Sequence, residues 1–117
     1  MAVIGIGVDV VDLVRFAATL ERTPTMRDRL FTPAEIDLPL ESLAGRFAAK
    51  EALAKAMGAP SGLSWQDFEV RNNDQGAPEF HLHGAAPDRV AALGITTIHL
   101  SISHDTIVAT AFVVAEC

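Results

Sequence analysis

The chain of 117 residues carries 15 acidic residues against 9 Lys and Arg, a net charge of −6 with its four histidines neutral. A length of this order makes one small domain over residues 1–117, burying about 65% of the surface its unfolded chain exposes, so a deep private cavity is hard to fit. Half of the residues are apolar and 21% are charged, which indicates a folded chain. The acidic balance excludes a general nucleic-acid binder, whose contact face must replace phosphate counterions.

The only cysteine is Cys117, so no intrachain disulfide can form. The opening Met-Ala-Val-Ile-Gly-Ile-Gly-Val-Asp lacks the basic start of a signal peptide, and no apolar run approaches the ~20 residues of a membrane span. The expectation is a cytoplasmic chain with no membrane partner. No repeat or Gly/Ser linker divides it.

In chain order, residues 3–11 read as a strand with Ile4, Ile6, Val8 and Val10 on one face and Gly5, Gly7, Asp9 and Val11 on the other. Asp12 can cap a helix whose apolar positions Leu13, Phe16, Ala17 and Leu20 recur at helical spacing. Thr32-Pro33-Ala34-Glu35 predicts a second helix start, with Thr as N-cap and Glu returning the capping bond, and Pro39 ends that helix. The longest helix is expected from about Glu41 to Met57, closed by Gly58. It is so rich in alanine that it must be packed on several sides. Phe68 and Val70 then alternate with Asp67, Glu69 and Arg71, and Phe80 and Leu82 with Glu79, His81 and His83. Asn72-Asn73-Asp74-Gln75-Gly76 makes these a hairpin. A short helix over Pro87–Leu93 and a strand pair over 95–103 and 107–115 complete an α+β chain: an N-terminal strand, helices including one long central helix, then antiparallel strands.

Three groups of residues can carry chemistry. Asp9 ends a strand face with almost no side-chain bulk; Arg46, Lys50, Glu51 and Lys55 lie on the long helix; Ser101, Ser103, His104 and Asp105 lie at a strand-turn junction. Glu51 and Lys55, four residues apart, share a helix face, where they can meet one ligand or simply form a solvated pair. Lys50 falls on the apolar stripe of Leu43, Phe47, Ala54 and Met57, where a charge needs a partner or must reach out to water. One carboxylate from a strand and one from a helix, with water completing the shell, is how Mg²⁺ is commonly held on a phosphate substrate, and nearby lysines neutralise phosphate oxygens. His81, His83 and His99 find no completed ligand set in the sequence and are read as surface or packing residues. Gly5-x-Gly7 lacks the third glycine of a dinucleotide motif.

Taken together, Gly5-Ile6-Gly7-Val8-Asp9, Gly45-Arg46-Phe47-Ala48-Ala49-Lys50-Glu51-Ala52-Leu53-Ala54-Lys55-Ala56 and Ser101-Ile102-Ser103-His104-Asp105 resemble the three signatures of the holo-(acyl carrier protein) synthases. These belong to the 4′-phosphopantetheinyl transferases. The likeness extends through Gly62-Leu63-Ser64-Trp65-Gln66-Asp67 and Gly76-Ala77-Pro78, while the segment from Pro33 to Ser42 is shorter than is common in the family. The resemblance implies the fold of that family, a homotrimer with its sites between subunits, and transfer of phosphopantetheine from coenzyme A to a serine of an acyl carrier protein, in support of fatty acid biosynthesis. It implies Asp9 and Glu51 as Mg²⁺ ligands and catalytic groups, Lys55 as a catalytic, phosphate-facing cation, and Arg46, Lys50, Lys55, Ser101, His104 and Asp105 around coenzyme A. Glu51 or a metal-polarised water would take the serine proton.

Two other readings compete: a Mg²⁺-dependent pyrophosphate hydrolase, for which the dense helical glutamates of such sites are missing, and a non-enzymatic module in which Asp9, Glu51 and Lys55 are a salt-bridge network. The basic residues are unevenly spread. Residues 15–29 hold Arg15, Arg22, Arg27 and Arg29 against Glu21 and Asp28, a local balance of +2 in a chain of −6. An acidic carrier protein is expected to dock on this arginine segment.

Overall fold

The structure, a computed structural model, describes residues 1–117. Strand β1 (Val3–Asp12) runs into α1 (Leu13–Arg22), and α2 (Thr25–Leu30) follows after Thr23 and Pro24. An irregular segment then leads to the long α3 (Leu40–Ala56). The chain continues through a 3-10 turn at Trp65–Asp67, β2 (Phe68–Asn72), β3 (Pro78–Leu82), α4 (Ala86–Ala92), β4 (Thr97–His104) and β5 (Val108–Glu116). The α+β order expected from the sequence is the order observed.

The sheet of three antiparallel strands has the order β1-β5-β4, so the N-terminal strand pairs with the C-terminal one, with Val8 opposite Phe112 and Asp9 opposite Ala111. β2 and β3 form a separate hairpin. Its turn is held by the Asn73 side chain, which accepts hydrogen bonds from the Gln75 and Ala77 amides at 2.9 and 3.0 Å.

α3 lies across the inner face of the sheet, and both surfaces are built of small residues. Ala44, Ala48, Ala52 and Ala56 of the helix are buried, as are Ala109, Ala111 and Ala115 of β5. The approach is closest at β1: a Cβ on Gly5 would stand 1.9 Å from the Ala56 carbonyl oxygen, and one on Gly7 would stand 1.7 Å from that of Ala52. No side chain fits there. Glycine is required because backbone meets backbone. Gly58, at φ +79°, then turns the chain away after the helix, in the left-handed conformation that glycine adopts without strain.

Small residues inward leave the bulky ones outward. Ile4, Ile6, Val8 and Val10 are between 39% and 64% exposed and Phe112 is 47% exposed, so the sheet's outer face carries an apolar stripe that the chain itself does not cover. The alternation along β1 separates two faces, and it is the glycine face that is packed.

Two expectations are corrected. Thr32–Glu35 starts no α-helix: the segment is a run of turns. The Glu35 carboxylate does return a bond to the Thr32 amide at 3.0 Å, but the Thr32 hydroxyl donates to Glu69 instead of capping. The arginine segment is divided between two helices, α1 and α2, with a break at Thr23–Pro24 because proline cannot continue the amide ladder. Glu69, alternating with apolar neighbours, is expected to face water, yet it is 2% exposed. Thr32, from the segment between α2 and α3, reaches over it.

Candidate active site

β1 and α3 place the first functional group. Gly5 lies on Ala56 and Gly7 on Ala52, so each step of two residues along the strand matches one helical turn back along α3. Asp9, two residues further, is met by side chains instead: Lys55 reaches it from the turn between those two contacts, and Glu51 lines the same cleft. The Lys55 ammonium donates to the Val8 carbonyl at 2.9 Å and to Asp9 Oδ1 at 3.1 Å. The anticipated Glu51–Lys55 pair along the helix is not the contact made. Lys55 bonds across 46 residues to Asp9, and Glu51 makes no hydrogen bond or ion pair within the chain.

Asp9 and Glu51 line one cleft of about 350 Å³ together with Val11, Asp12, Arg15, Phe16, Thr19, Met26 and Phe47. Its floor is apolar: the Phe16 and Phe47 rings stack at 5.4 Å, and Trp65 leans on Phe47 at 5.5 Å. Burial and the adjacent Asp9 charge raise the Glu51 carboxyl above its ordinary range, and Lys55 only partly opposes them. Two carboxylates facing the same space with one ammonium between them leave an excess of negative charge that a cation would relieve. No group of three or more His, Cys, Asp or Glu side chains gathers as a ligand set anywhere in the molecule. The donor set on offer is therefore two hard oxygens, which fits an ion that keeps water and takes its remaining ligands from a phosphate substrate.

Arg46 and Lys50 lie on another side of α3. The Lys50 ammonium is fully buried, bonded to the Leu30 carbonyl and to Glu35, each at 2.7 Å. Burial pushes it below the usual lysine range, and Glu35 opposes that shift. Within this chain its side chain is closed off from solvent. Arg46 is half-buried, with its Nε withdrawn from solvent and without a partner. Burial lowers its pKa against the pull of Glu35.

The third group sits on β4. Ser101, opposite Phe112, is on the outer face of the sheet. His104 and Asp105 border a separate cleft of about 420 Å³ with Leu13, Glu41 and Thr106, and Asp105 shapes the turn by accepting from the Thr106 amide at 2.7 Å. β5 stands between β4 and β1, which puts roughly 10 Å between the two edges. One chain thus brings Asp9, Glu51, Lys55 and Arg15 together and leaves Ser101, His104 and Asp105 apart from them. Arg22, Arg27 and Arg29 are exposed on α1 and α2, and Arg27 borders a separate, smaller hollow with Ala17, Leu20, Glu21 and Leu40.

A polar network escaped the sequence reading. Glu69 accepts from the Thr32 hydroxyl, from Arg71 at 2.6 Å and from His83 at 3.0 Å. Burial alone would raise its carboxyl, but these three donors outweigh it and hold the group down at about 2. His83, read as a surface or packing residue, is part of this set, whereas His81 and His99 pair with Glu79 and Glu116 at the surface.

The family model of the 4′-phosphopantetheinyl transferase superfamily matches residues 5–111. The holo-(acyl carrier protein) synthase of Clavibacter michiganensis subsp. michiganensis is 60% identical over 112 residues, covering 96% of this chain and 94% of that protein. Among solved structures, the holo-(acyl carrier protein) synthase of Neisseria meningitidis superposes with a TM-score of 0.89 at 33% identity, over 99% of this chain and all of the other. The Helicobacter pylori synthase, solved in complex with coenzyme A, superposes with a TM-score of 0.84 at 32% identity, over 95% of this chain and 99% of that one.

Proposed function

The chain belongs to the 4′-phosphopantetheinyl transferase superfamily, and within it to the holo-(acyl carrier protein) synthases, and from that premise we propose that it moves 4′-phosphopantetheine from coenzyme A to a serine of an apo acyl carrier protein, with Mg²⁺, releasing adenosine 3′,5′-bisphosphate. The observation that carries this reading is the meeting of Asp9, Glu51 and Lys55 at one cleft. A cytoplasmic role in supplying carriers for fatty acid biosynthesis is part of the proposal.

Asp9 and Glu51 would hold the Mg²⁺, which when bound offsets charge on the pyrophosphate. Lys55, whose side chain is 55% exposed, is free to turn from Asp9 to a phosphate oxygen on the path to the transition state. The serine oxygen forms its bond to the β-phosphorus as the bond from that phosphorus to the bridging oxygen breaks, and the electron pair leaves with the bisphosphate. The serine proton passes to Glu51, the carboxylate of the cleft without a partner in the chain, whose pKa is raised by burial and the Asp9 charge. The Arg15, Arg22, Arg27 and Arg29 surface, of which Arg15 borders the cleft, is the proposed carrier-docking face.

The working form is proposed to be a homotrimer. Two features support it: the uncovered apolar stripe of β1 and Phe112, which is the kind of surface a second copy covers, and the separation of the β1/α3 group from the β4 group. In a ring of copies, Ser101, His104 and Asp105 of one protomer, with Arg46, complete the coenzyme A pocket begun by Asp9, Glu51 and Lys55 of its neighbour.

Chromatography of the nucleotide products tests the reaction class. Adenosine 3′,5′-bisphosphate is expected only when coenzyme A, Mg²⁺ and the apo carrier are all present. Its release without the carrier would assign the cleft to pyrophosphate hydrolysis, and intact coenzyme A throughout would make the module non-enzymatic.

A further inference from the structure

Lys50 and Glu35 form the one ion pair of the molecule in which both side chains are withdrawn from solvent, at 0% and 1% exposure. The pair joins four segments. Lys50 Nζ donates to the Leu30 carbonyl, the last of α2, and to Glu35 Oε1. Glu35 Oε1 also accepts from the Thr32 amide at 3.0 Å, and Oε2 accepts from the Val70 amide of β2 at 3.0 Å. The ammonium stands 5.3 Å from the centre of the Phe31 ring.

We propose that Glu35 is a positioning residue for the transfer: through Lys50 it fixes α2, a wall of the active-site cleft, against α3 at the residue next to Glu51. α2 has six residues and buries only Leu30, too short to be stable by its own hydrogen bonds. Beside the core contacts of Met26, Leu30 and the following Phe31, it is held by polar ties: Lys50 at its terminal carbonyl and the Gln66 amide to the Asp28 and Phe31 carbonyls. Met26 of α2 lines the same cleft as Asp9 and Glu51, and Arg27 and Arg29 project from this helix. Stability does not by itself explain the pair, because a buried ion pair replaced by neutral groups of like size is often no less stable. Fixing one wall relative to one carboxylate does explain it, since a small misplacement of the incoming nucleophile is costly. The inference rests on the proposed transfer reaction, and it assigns Glu35 to the carrier side rather than to coenzyme A.

The test compares wild type, Glu35→Gln and the double variant Lys50→Met/Glu35→Gln, with steady-state kinetics for carrier and for coenzyme A measured separately and hydrogen exchange read by mass spectrometry. Glu35→Gln leaves a buried ammonium uncompensated and is expected to lower stability. The double variant removes both charges and is expected to unfold close to the wild-type temperature. In it the carrier KM rises about tenfold while the coenzyme A KM stays within about twofold, and amides of residues 25–30 lose protection while those of 41–56 keep it. A folded double variant with wild-type carrier KM, or one in which both KM values rise alike, overturns the proposal, as does a double variant that cannot fold. If wild type leaves the carrier unmodified, the transfer reading itself fails. If wild type transfers and the double variant matches it, only the role of Glu35 fails.

Discussion

Glu51 and Lys50 are neighbours in α3 with opposite surroundings: the carboxylate opens on a cleft without a partner, and the ammonium is sealed inside with two acceptors. A helix rotates about 100° per residue, so adjacent charges in one motif need not serve one site. The sequence marks Lys50 as a charge on an apolar stripe in want of a partner, but Glu35 reads there only as a capping residue. Its second use needs the fold. Glu69 is the same kind of case, hidden by a period of two that holds for Phe68 and Val70 and fails once Thr32 covers the strand. A stability prediction follows from its carboxyl, held at about 2 against an ordinary 4.5. A depressed carboxylate stabilises the fold fully above its unfolded pKa and loses that contribution as pH falls toward the folded one. The stabilisation, on the order of 3 kcal/mol, is therefore present at neutral pH and lost between about pH 4.5 and 2. Urea unfolding of wild type should weaken steeply across that window, and Glu69→Gln should be less stable at pH 7 with a flatter acid limb. Parallel pH profiles for the two would contradict the assignment.

At the level of elements, the strand–helix seam of β1 on α3 sets the active-site geometry. Legible in the sequence are the strand, its small-residue face ending at Asp9, the long alanine helix and the spacing of Glu51 and Lys55. Not legible is the alignment of one on the other, because that depends on backbone contacts at Gly5 and Gly7 that leave no signal beyond the absence of side chains. Gly7→Ala must push the strand away from the Ala52 carbonyl. The cost is expected to exceed the ~1–3 kcal/mol of ordinary overpacking, with transfer falling further than stability alone explains because Asp9 moves with the strand. Denaturation midpoints together with activity at a temperature where the variant is folded check both halves. The α1–α2 surface carries a separate prediction. Charge reversal at Arg15 and Arg22 removes attraction for an acidic carrier, so the carrier KM rises and coenzyme A binding, followed by calorimetry, is unchanged. Equal loss of both would argue that these arginines belong to the nucleotide pocket.

Along β1 and at Phe112 of β5 the sheet turns large apolar residues outward, the reverse of what an isolated antiparallel sheet requires. Val8 and Phe112, paired across β1 and β5 and about half exposed, are the centre of that face. Wild type is expected to elute with the mass of a trimer by light scattering. Val8→Asp should yield a folded monomer that keeps Asp9, Glu51 and Lys55 in place yet transfers nothing, whereas an active monomer would remove the case for a shared pocket. The acidic chain with a local arginine surplus is consistent with this picture: Arg15 of that surplus borders the cleft, and the outer apolar stripe is a different surface that the chain leaves uncovered. The central claim, that the cleft of Asp9 and Glu51 transfers phosphopantetheine, is tested most directly by the intact mass of an apo acyl carrier protein after incubation with coenzyme A, Mg²⁺ and the protein. One phosphopantetheine added to the carrier by wild type, and none by folded Asp9→Ala or Glu51→Ala, is the predicted result; an unmodified carrier with wild type, or full modification by either variant, would contradict it.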